Sequence, residues 1–221
     1  MPETNATSIS SFWDAAAASF DEEADHGLRD PRVRAAWAER LRSWMPHSPS
    51  DVLDLGCGTG SLSLLLAELG HRPVGVDLSP LMVEQARRKL TAAGFDVAMM
   101  AGDASDPPAE AGTSFDVILS RHLLWTLPDP EDALRRWAGL LRPGGRLVLV
   151  EGRWAAPAEP GDDRSYAVEP ESLPWMGGVG AERLLQALRP LTVDSRVEPL
   201  TDPDLWGRPI QDERYAVIAF V

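Results

Sequence analysis

Val52-Leu53-Asp54-Leu55-Gly56-Cys57-Gly58-Thr59-Gly60 is a short apolar run that enters three glycines at every second position, and an apolar helical pattern begins at Ser61. Glycine lacks a Cβ, so the backbone can turn sharply and approach a ligand closely, while the helix that follows offers free N–H groups to an anionic or polar ligand. The stretch reads as strand, cofactor loop and helix. The next apolar run, Pro73 to Leu78 with Val74 and Val76, carries Asp77 near its end, about 20 residues on, where a carboxylate can accept hydrogen bonds from both ribose hydroxyls. Together these pieces make a βαβ unit that holds an adenosine.

The glycine spacing narrows the choice of adenosine. A dinucleotide site asks for Gly-x-Gly-x-x-Gly, with the third glycine letting helix and strand pack beneath a pyrophosphate. Here the third glycine comes one residue early and Asp54 stands just before the loop, badly placed for a diphosphate and well placed for an ammonium group. In these residues the chain resembles the S-adenosylmethionine-dependent methyltransferases of the Rossmann-like class, whose first motif Val52 to Gly60 matches. The resemblance continues through Asp77, through Gly102-Asp103-Ala104 after the third strand, and through Leu141-Arg142-Pro143-Gly144-Gly145-Arg146-Leu147 into the fifth. It covers residues 50 to 150 and is much weaker outside them.

The resemblance implies a cofactor and a set of roles. Gly56, Cys57, Gly58 and Gly60 would pass under the methionine part of S-adenosyl-L-methionine, and Asp77, followed by Leu78, would take the ribose. Gly102 leads to Asp103, which would accept from the adenine amino group, with the Ala104 amide beside the ring; an Asp that only caps its own turn is the alternative. Asp54 would face the ammonium, and Ser120 and Arg121, directly after the fourth strand, match the position whose carbonyl holds that group. The opening Phe12-Trp13-Asp14-x-x-Ala17-x-x-Phe20-Asp21 is similar to an N-terminal motif of small-molecule members, in which an aromatic closes over the methionine moiety; Phe12 and Trp13 stand where a tyrosine is usual. A hydrophobic staple on an amphipathic helix explains the same residues.

Composition bounds the function. With 221 residues, 44% of them hydrophobic, one domain with a sizeable core is expected. A net charge of −13 argues against a nucleic-acid backbone as substrate, because phosphate binding needs a basic face. Cys57 is the only cysteine, so no intrachain disulfide or cysteine-rich metal site is expected. Met1 to Ser10 lacks the pattern of a secretory signal, and no apolar run approaches the ~18 residues of a membrane span, so the expectation is a cytoplasmic protein, monomer or homodimer. Lys89 is the only lysine among 21 basic residues, which reads as composition bias.

The pattern along the chain predicts helices over Ile9 to Phe20 and Pro31 to Met45, the latter with Val33, Trp37, Leu41 and Trp44 on one stripe and Asp30-Pro31 at its start. Strands over Asp51–Leu55, Pro73–Asp77, Asp96–Met100, Phe115–Ser120 and Gly145–Glu151 alternate with helices over Gly60–Leu69, Pro80–Ala93 and Pro130–Leu141. A loop over Arg153 to Pro174 precedes a helix from Gly180 to Leu188 and two β-like runs, Thr192–Val197 and Arg214–Val221. The fold class is therefore α/β, a doubly wound seven-stranded sheet, mostly parallel with the last strand antiparallel, plus an N-terminal helical lid. We divide the single domain into a lid (residues 1–46), a cofactor core (50–151) and a substrate loop, last helix and strand pair (152–221).

In such a sheet the ligand lies beyond the carboxyl ends of the strands, so the residues there are candidates for chemistry. His122, one residue past the fourth strand, is a candidate general base because imidazole titrates near ~6.5; a structural histidine is the alternative. Glu151, at the end of the fifth strand, is the rival base or substrate anchor, and His26 in the acidic lid is the third candidate. Phe20, Trp125, Trp154 and Trp175 are candidates for the substrate pocket, where ring faces suit a flat or cationic acceptor. No histidine pair at ligand spacing is visible and no metal is expected. The expected activity is methyl transfer to a nitrogen or oxygen of a small molecule; a nicotinamide-dependent oxidoreductase on a Rossmann sheet and a non-catalytic S-adenosylmethionine-binding protein are the alternatives.

Overall fold

In the computed structural model, which describes residues 2–46, 49–154 and 173–221, seven strands form one sheet in the order β3-β2-β1-β4-β5-β7-β6. The strands are β1 (Asp51–Leu55), β2 (Arg72–Asp77), β3 (Met99–Ala101), β4 (Phe115–Arg121), β5 (Leu141–Arg153), β6 (Asp194–Pro199) and β7 (Glu213–Phe220). β7 runs antiparallel to both its neighbours, and the other six are parallel to one another. The helices are α1 (Pro2–Ala16), α2 (Ala24–Gly27), α3 (Pro31–Trp44), α4 (Ser61–Glu68), α5 (Pro80–Ala92), α6 (Pro130–Gly139) and α7 (Ala181–Leu188).

Strand periodicity sorts the core into two layers. Val52, Val117, Leu119, Val148, Val150, Ala216 and Ile218 point to the face covered by α3 and α4, where Trp37 and Trp44 are buried. Leu53, Leu55, Ile118, Leu147, Leu149, Val217 and Ala219 point to the opposite face, under Trp137 of α6 and Leu184 and Leu188 of α7. Three helices start on the same device, a capping side chain followed by proline at the first helical position. Asp30 accepts from the Arg32 amide, Ser79 from Met82 and Asp129 from Asp132, so part of each helix end is satisfied from within its own sequence. The buried indoles also find acceptors: Trp37 Nε1 donates to the Leu205 carbonyl (2.7 Å), Trp44 Nε1 to Glu198 (2.8 Å) and Trp137 Nε1 to the Ala104 carbonyl (2.7 Å).

Several element boundaries differ from the sequence expectation. α1 begins at Pro2 and ends at Ala16, leaving Phe20 in a separate turn, Phe20–Glu22. β3 is only Met99–Ala101, an edge strand that pairs with Gly75, Val76 and Asp77 alone. β5 is longer than expected at both ends because it pairs with β4 from Leu141 onward and with β7 as far as Arg153. Most of the loop expected over Arg153 to Pro174 lies outside the described residues. No helix among the described residues is long and apolar enough to cross a membrane.

Candidate active site

β1 and β4 are neighbours where the strand order reverses, and the loops beyond them open into a cleft of about 1920 Å³. Gly56, Gly58 and Gly60 take φ of +68°, +53° and +76°, the left-handed region that glycine enters without strain. The amides of Gly56 and Cys57 both donate to the Val76 carbonyl, which ties the loop to β2. A Cβ on Gly58 would lie 3.5 Å from the Phe20 ring, whereas one on Gly60 would lie 2.9 Å from Ala86 of α5. Gly58 therefore faces the cleft, and Gly60 lets two helices approach.

Two carboxylates flank this loop. Asp77, only 8% exposed, accepts from the Gly58 amide (2.8 Å) and the Ser79 amide (2.9 Å), one on each oxygen. A carboxylate offers about four lone-pair directions, so each oxygen keeps capacity for a ligand hydroxyl. Burial raises the Asp77 carboxyl above its ordinary range. Asp54, 3% exposed, accepts from Ser63 Oγ (2.5 Å), and burial pushes its carboxyl up to about 6. A buried carboxylate with one hydrogen bond gains most from a cationic ligand. Asp103 uses Oδ1 for its own turn, accepting from the amide and hydroxyl of Ser105 (2.8 and 2.7 Å), and it lines the cleft beside Ala104. The Cys57 thiol, raised well above the usual range by burial, is held as a thiol.

The N-terminal segment closes over the glycine loop through a chain of polar contacts. Ser79 Oγ and the Leu81 amide donate to Asp14 (2.5 and 3.1 Å), and Ser10 Oγ donates to the Leu78 carbonyl (3.2 Å). Thr59 Oγ1 donates to Asp21 (2.5 Å), and Lys89 Nζ reaches Asp21 (2.9 Å), Thr59 (3.0 Å) and Ser61 (2.7 Å). The chain's single lysine thus ties the lid to the loop, a role that composition could not suggest. Arg121 Nη1 donates to the Asp25 carbonyl (2.6 Å) and its guanidinium lies over Trp37 (5.0 Å). Trp13 meets Phe20 edge to face, and Phe20 stacks on His26 at 4.2 Å.

The far end of the cleft is aromatic and cationic. Trp125 and Trp154 meet edge to face at 5.8 Å, with Trp125 Nε1 donating to the His122 carbonyl (2.7 Å). His122 is held at φ +55°, stacks on Trp206 (5.8 Å, 7°) and has its Nε2 3.3 Å from Arg214 Nη1. The Arg214 guanidinium lies over Trp154 and over Trp206, 5.0 and 4.9 Å from the ring centres, and pairs with Asp212 through Nε (3.0 Å) and Nη2 (2.7 Å). No sequence motif flagged Arg214. The signal was topological: β7 is antiparallel, so its beginning, opposite Gly152, lies at the ligand end of the sheet.

Trp13, Phe20, His26, Asp54, Gly56, Cys57, Gly58, Asp77, Leu78, Asp103, Ala104, Arg121, His122, Trp125 and Trp154 all line the cleft. Gly60, Gly102, Ser120, Glu151 and Trp175 do not. Gly102 makes room for Pro108, which a Cβ would meet at 3.0 Å, and the Ser120 side chain is buried within the sheet. Trp175 is 3% exposed and packs into the core with Leu184 and Leu188, so it is no pocket wall. Glu151 is fully buried beneath the loop after β4, where Oε1 accepts from the amides of Leu123 (3.1 Å) and Leu124 (3.0 Å); burial raises its carboxyl to about 8. It pins that loop and cannot touch an acceptor in the cleft. Burial, Arg121, Arg214 and His26 hold the His122 imidazole well below the usual histidine range, and Arg214 Nη1 occupies the Nε2 side of its ring. Burial also lowers His26, against the pull of Asp25.

Known proteins fit this geometry. Residues 53–149 match the family model described as a methyltransferase domain. A ubiquinone biosynthesis O-methyltransferase of Xanthomonas euvesicatoria pv. vesicatoria is 40% identical over 138 residues, 62% of this chain and 54% of that protein, so the chain spans about half the length of the curated relatives it matches. Among solved structures, Burkholderia thailandensis 1,6-didemethyltoxoflavin-N1-methyltransferase, with bound 1,6-didemethyltoxoflavin and S-adenosylhomocysteine, superposes with a TM-score of 0.67 at 22% identity, covering 100% of this chain and 90% of that one. The [4+2]-cyclase SpnF superposes with a TM-score of 0.64 at 19% identity, covering 84% and 80%.

Proposed function

Starting from residues 53–149 as a methyltransferase domain of the Rossmann-like, S-adenosylmethionine-dependent class, we propose that this chain transfers a methyl group to an oxygen or nitrogen of a small, flat molecule. One observation carries the reading: the Gly58–Asp77 cradle and the Trp125–Trp154 wall line one continuous cleft. The residues present fit the cofactor. Asp77 has lone pairs for two ribose hydroxyls, Asp54 offers a buried carboxylate to an ammonium, and Gly58 leaves space beneath Phe20 where a side chain would intrude. When bound, S-adenosylmethionine supplies a methyl group already activated by its sulfonium.

The protein's share of the work is then positioning. Trp13 and Phe20 cover the loop from the lid side, and Lys89 and Asp21 hold that lid against Thr59. Trp125 and Trp154 offer ring faces and edges to a planar acceptor. Of the named relatives, one is called an O-methyltransferase and one an N1-methyltransferase, which supports either atom as the acceptor. A cyclase with the same fold makes the transferred methyl itself the decisive readout.

The test incubates the purified chain with methyl-labelled S-adenosylmethionine and a panel of hydroxy- and amino-substituted aromatics, with aliphatic amines as controls. Label should appear in planar acceptors, and Asp77→Ala should abolish most of it. Label confined to aliphatic amines would contradict the planar reading. Cofactor binding without transfer to any member would contradict the activity.

A further inference from the structure

We propose that His122 is a fixed hydrogen-bond donor to the acceptor molecule, through Nδ1–H, with its tautomer set by Arg214, so that the cleft favours an acceptor presenting an unprotonated oxygen or nitrogen. The proposal rests on the methyl-transfer reading above for the identity of the ligand, but its core, the protonation of one imidazole, can be measured without any transfer.

Arginine has five N–H donors and no acceptor. Arg214 Nη1 stands 3.3 Å from His122 Nε2, so that contact is a hydrogen bond only when Nε2 contributes its lone pair. In a neutral imidazole the single proton must then sit on Nδ1. Arg214 has little freedom to do otherwise: Asp212 holds its other edge at 3.0 and 2.7 Å, and its guanidinium lies over the rings of both Trp154 and Trp206. Trp206 carries both partners on one surface, the His122 ring stacked at 5.8 Å and the Arg214 guanidinium at 4.9 Å, and it is itself anchored by its Nε1 to the Leu200 carbonyl (2.9 Å).

The groups facing His122 from the surrounding elements make the neutral form the stable one. Arg214 comes from β7, Arg121 from the end of β4 and His26 from α2. Glu151 of β5 accepts from the next two amides, Leu123 and Leu124, and Asp212 is committed to Arg214. Nδ1 makes no hydrogen bond to any described residue and, unlike Nδ1 of His26, is not a buried unpaired atom, in a residue that lines the cleft. A donor fixed in this way discriminates. An anionic oxygen gains a charge-assisted hydrogen bond, a neutral hydroxyl or amine a weaker one, and an ammonium nitrogen, with no lone pair left, faces donor against donor with the imidazole. A left-handed φ of +55° in a non-glycine residue is a strained conformation of the kind found at functional positions, and here it turns the ring onto Trp206.

Nitrogen NMR of the full chain labelled with ¹⁵N-histidine, with S-adenosylhomocysteine present, reads the tautomer directly, and His122→Asn assigns the signals among the four histidines. The expected result is a neutral Nδ1–H ring that stays uncharged from pH 6 upward. An Nε2–H ring, or one that charges near pH ~6.5 as free histidine does, overturns the proposal. A second arm uses 4-nitrophenol, of which only the anion is yellow. The wild-type complex should bind it as the anion. His122→Asn, which places an amide N–H where Nδ1–H stands and tolerates positive φ, should keep anion affinity within about tenfold, while His122→Ala should weaken it about 10- to 100-fold. Equal anion retention by the alanine variant and the wild type overturns the donor role, and preferential binding of the neutral phenol overturns the selectivity for an unprotonated acceptor. Loss of S-adenosylhomocysteine binding would instead count against the cofactor reading and leave the tautomer result standing.

Discussion

The two ends of the cleft are built in opposite ways. At the cofactor end, the polar contacts come from two adjacent stretches, residues 52–63 and 76–79, and the turn conformations that place them are written into glycines, Asp54, Asp77 and Ser79. At the proposed acceptor end, His122, Trp154, Trp206 and Arg214 come from four separate segments, brought together as β7 turns back along β5. The first construction tolerates little change, since backbone geometry and carboxylates act together. The second rests on strand topology, which gathers residues that no single stretch of sequence places together.

If that contrast is right, the largest effect of a single substitution falls at Gly58. Valine there combines φ +53° with a branched side chain under Phe20, and Gly58→Val should weaken S-adenosylhomocysteine by more than about 100-fold while circular dichroism stays near native. Normal binding would show that the loop is not the cradle. Asp77→Ala comes next, at about 1.5–3 kcal/mol of lost binding, the scale of hydrogen bonds to a charged acceptor. Asp77→Asn, which keeps one acceptor oxygen, should lose less; an unchanged affinity in both would remove the carboxylate from the ribose.

Proton linkage gives a smaller, signed effect. The Asp54 carboxyl sits near 6, and a cationic ligand favours its ionised form. Affinity for S-adenosylhomocysteine should therefore hold above pH 7 and fall about tenfold between pH 7 and pH 5 as Asp54 takes up its proton. Asp54→Asn should flatten most of that slope; a steeper dependence above pH 7 than below it would contradict the assignment. The smallest effect on binding belongs beneath the acceptor end, at Glu151. Its carboxyl is raised to about 8 in the folded chain, so the folded state holds a proton that the unfolded chain has released. This residue's contribution to stability is complete below the ordinary carboxylate range and declines as pH climbs toward 8. Glu151→Gln should recover on the order of 1–3 kcal/mol of the stability lost between pH 6 and pH 9, with cofactor affinity unchanged. Equal pH dependence in wild type and variant would mean that Glu151 is ionised in the folded state.

What the sequence made legible follows the same division. Local signals such as Gly56-Cys57-Gly58-Thr59-Gly60, Asp30-Pro31 and the 3.6-residue stripe of Trp37, Leu41 and Trp44 specify structure within a few residues, and the mostly parallel, doubly wound sheet follows from the alternation of strands and helices. Glu151 and Trp175 were misplaced because lying near a strand's carboxyl end says how far along the sheet a residue is, not which way it points. Alternation carries Glu151 to the face of Leu147 and Leu149, into the layer under α6, and Trp175 joins that layer. Lys89 and Arg214 had no local signal at all. Each acts across the fold, one joining α5 to the lid and the other joining β7 to the loop after β4.

A calorimetric titration of the purified chain with S-adenosylhomocysteine and, separately, with NAD tests the central claim most directly, because a short glycine loop preceded by Asp54 is built for an ammonium and not for a diphosphate. Saturable binding of one S-adenosylhomocysteine per chain and no measurable heat from NAD are the expected results. Binding of NAD with none of S-adenosylhomocysteine would contradict the claim.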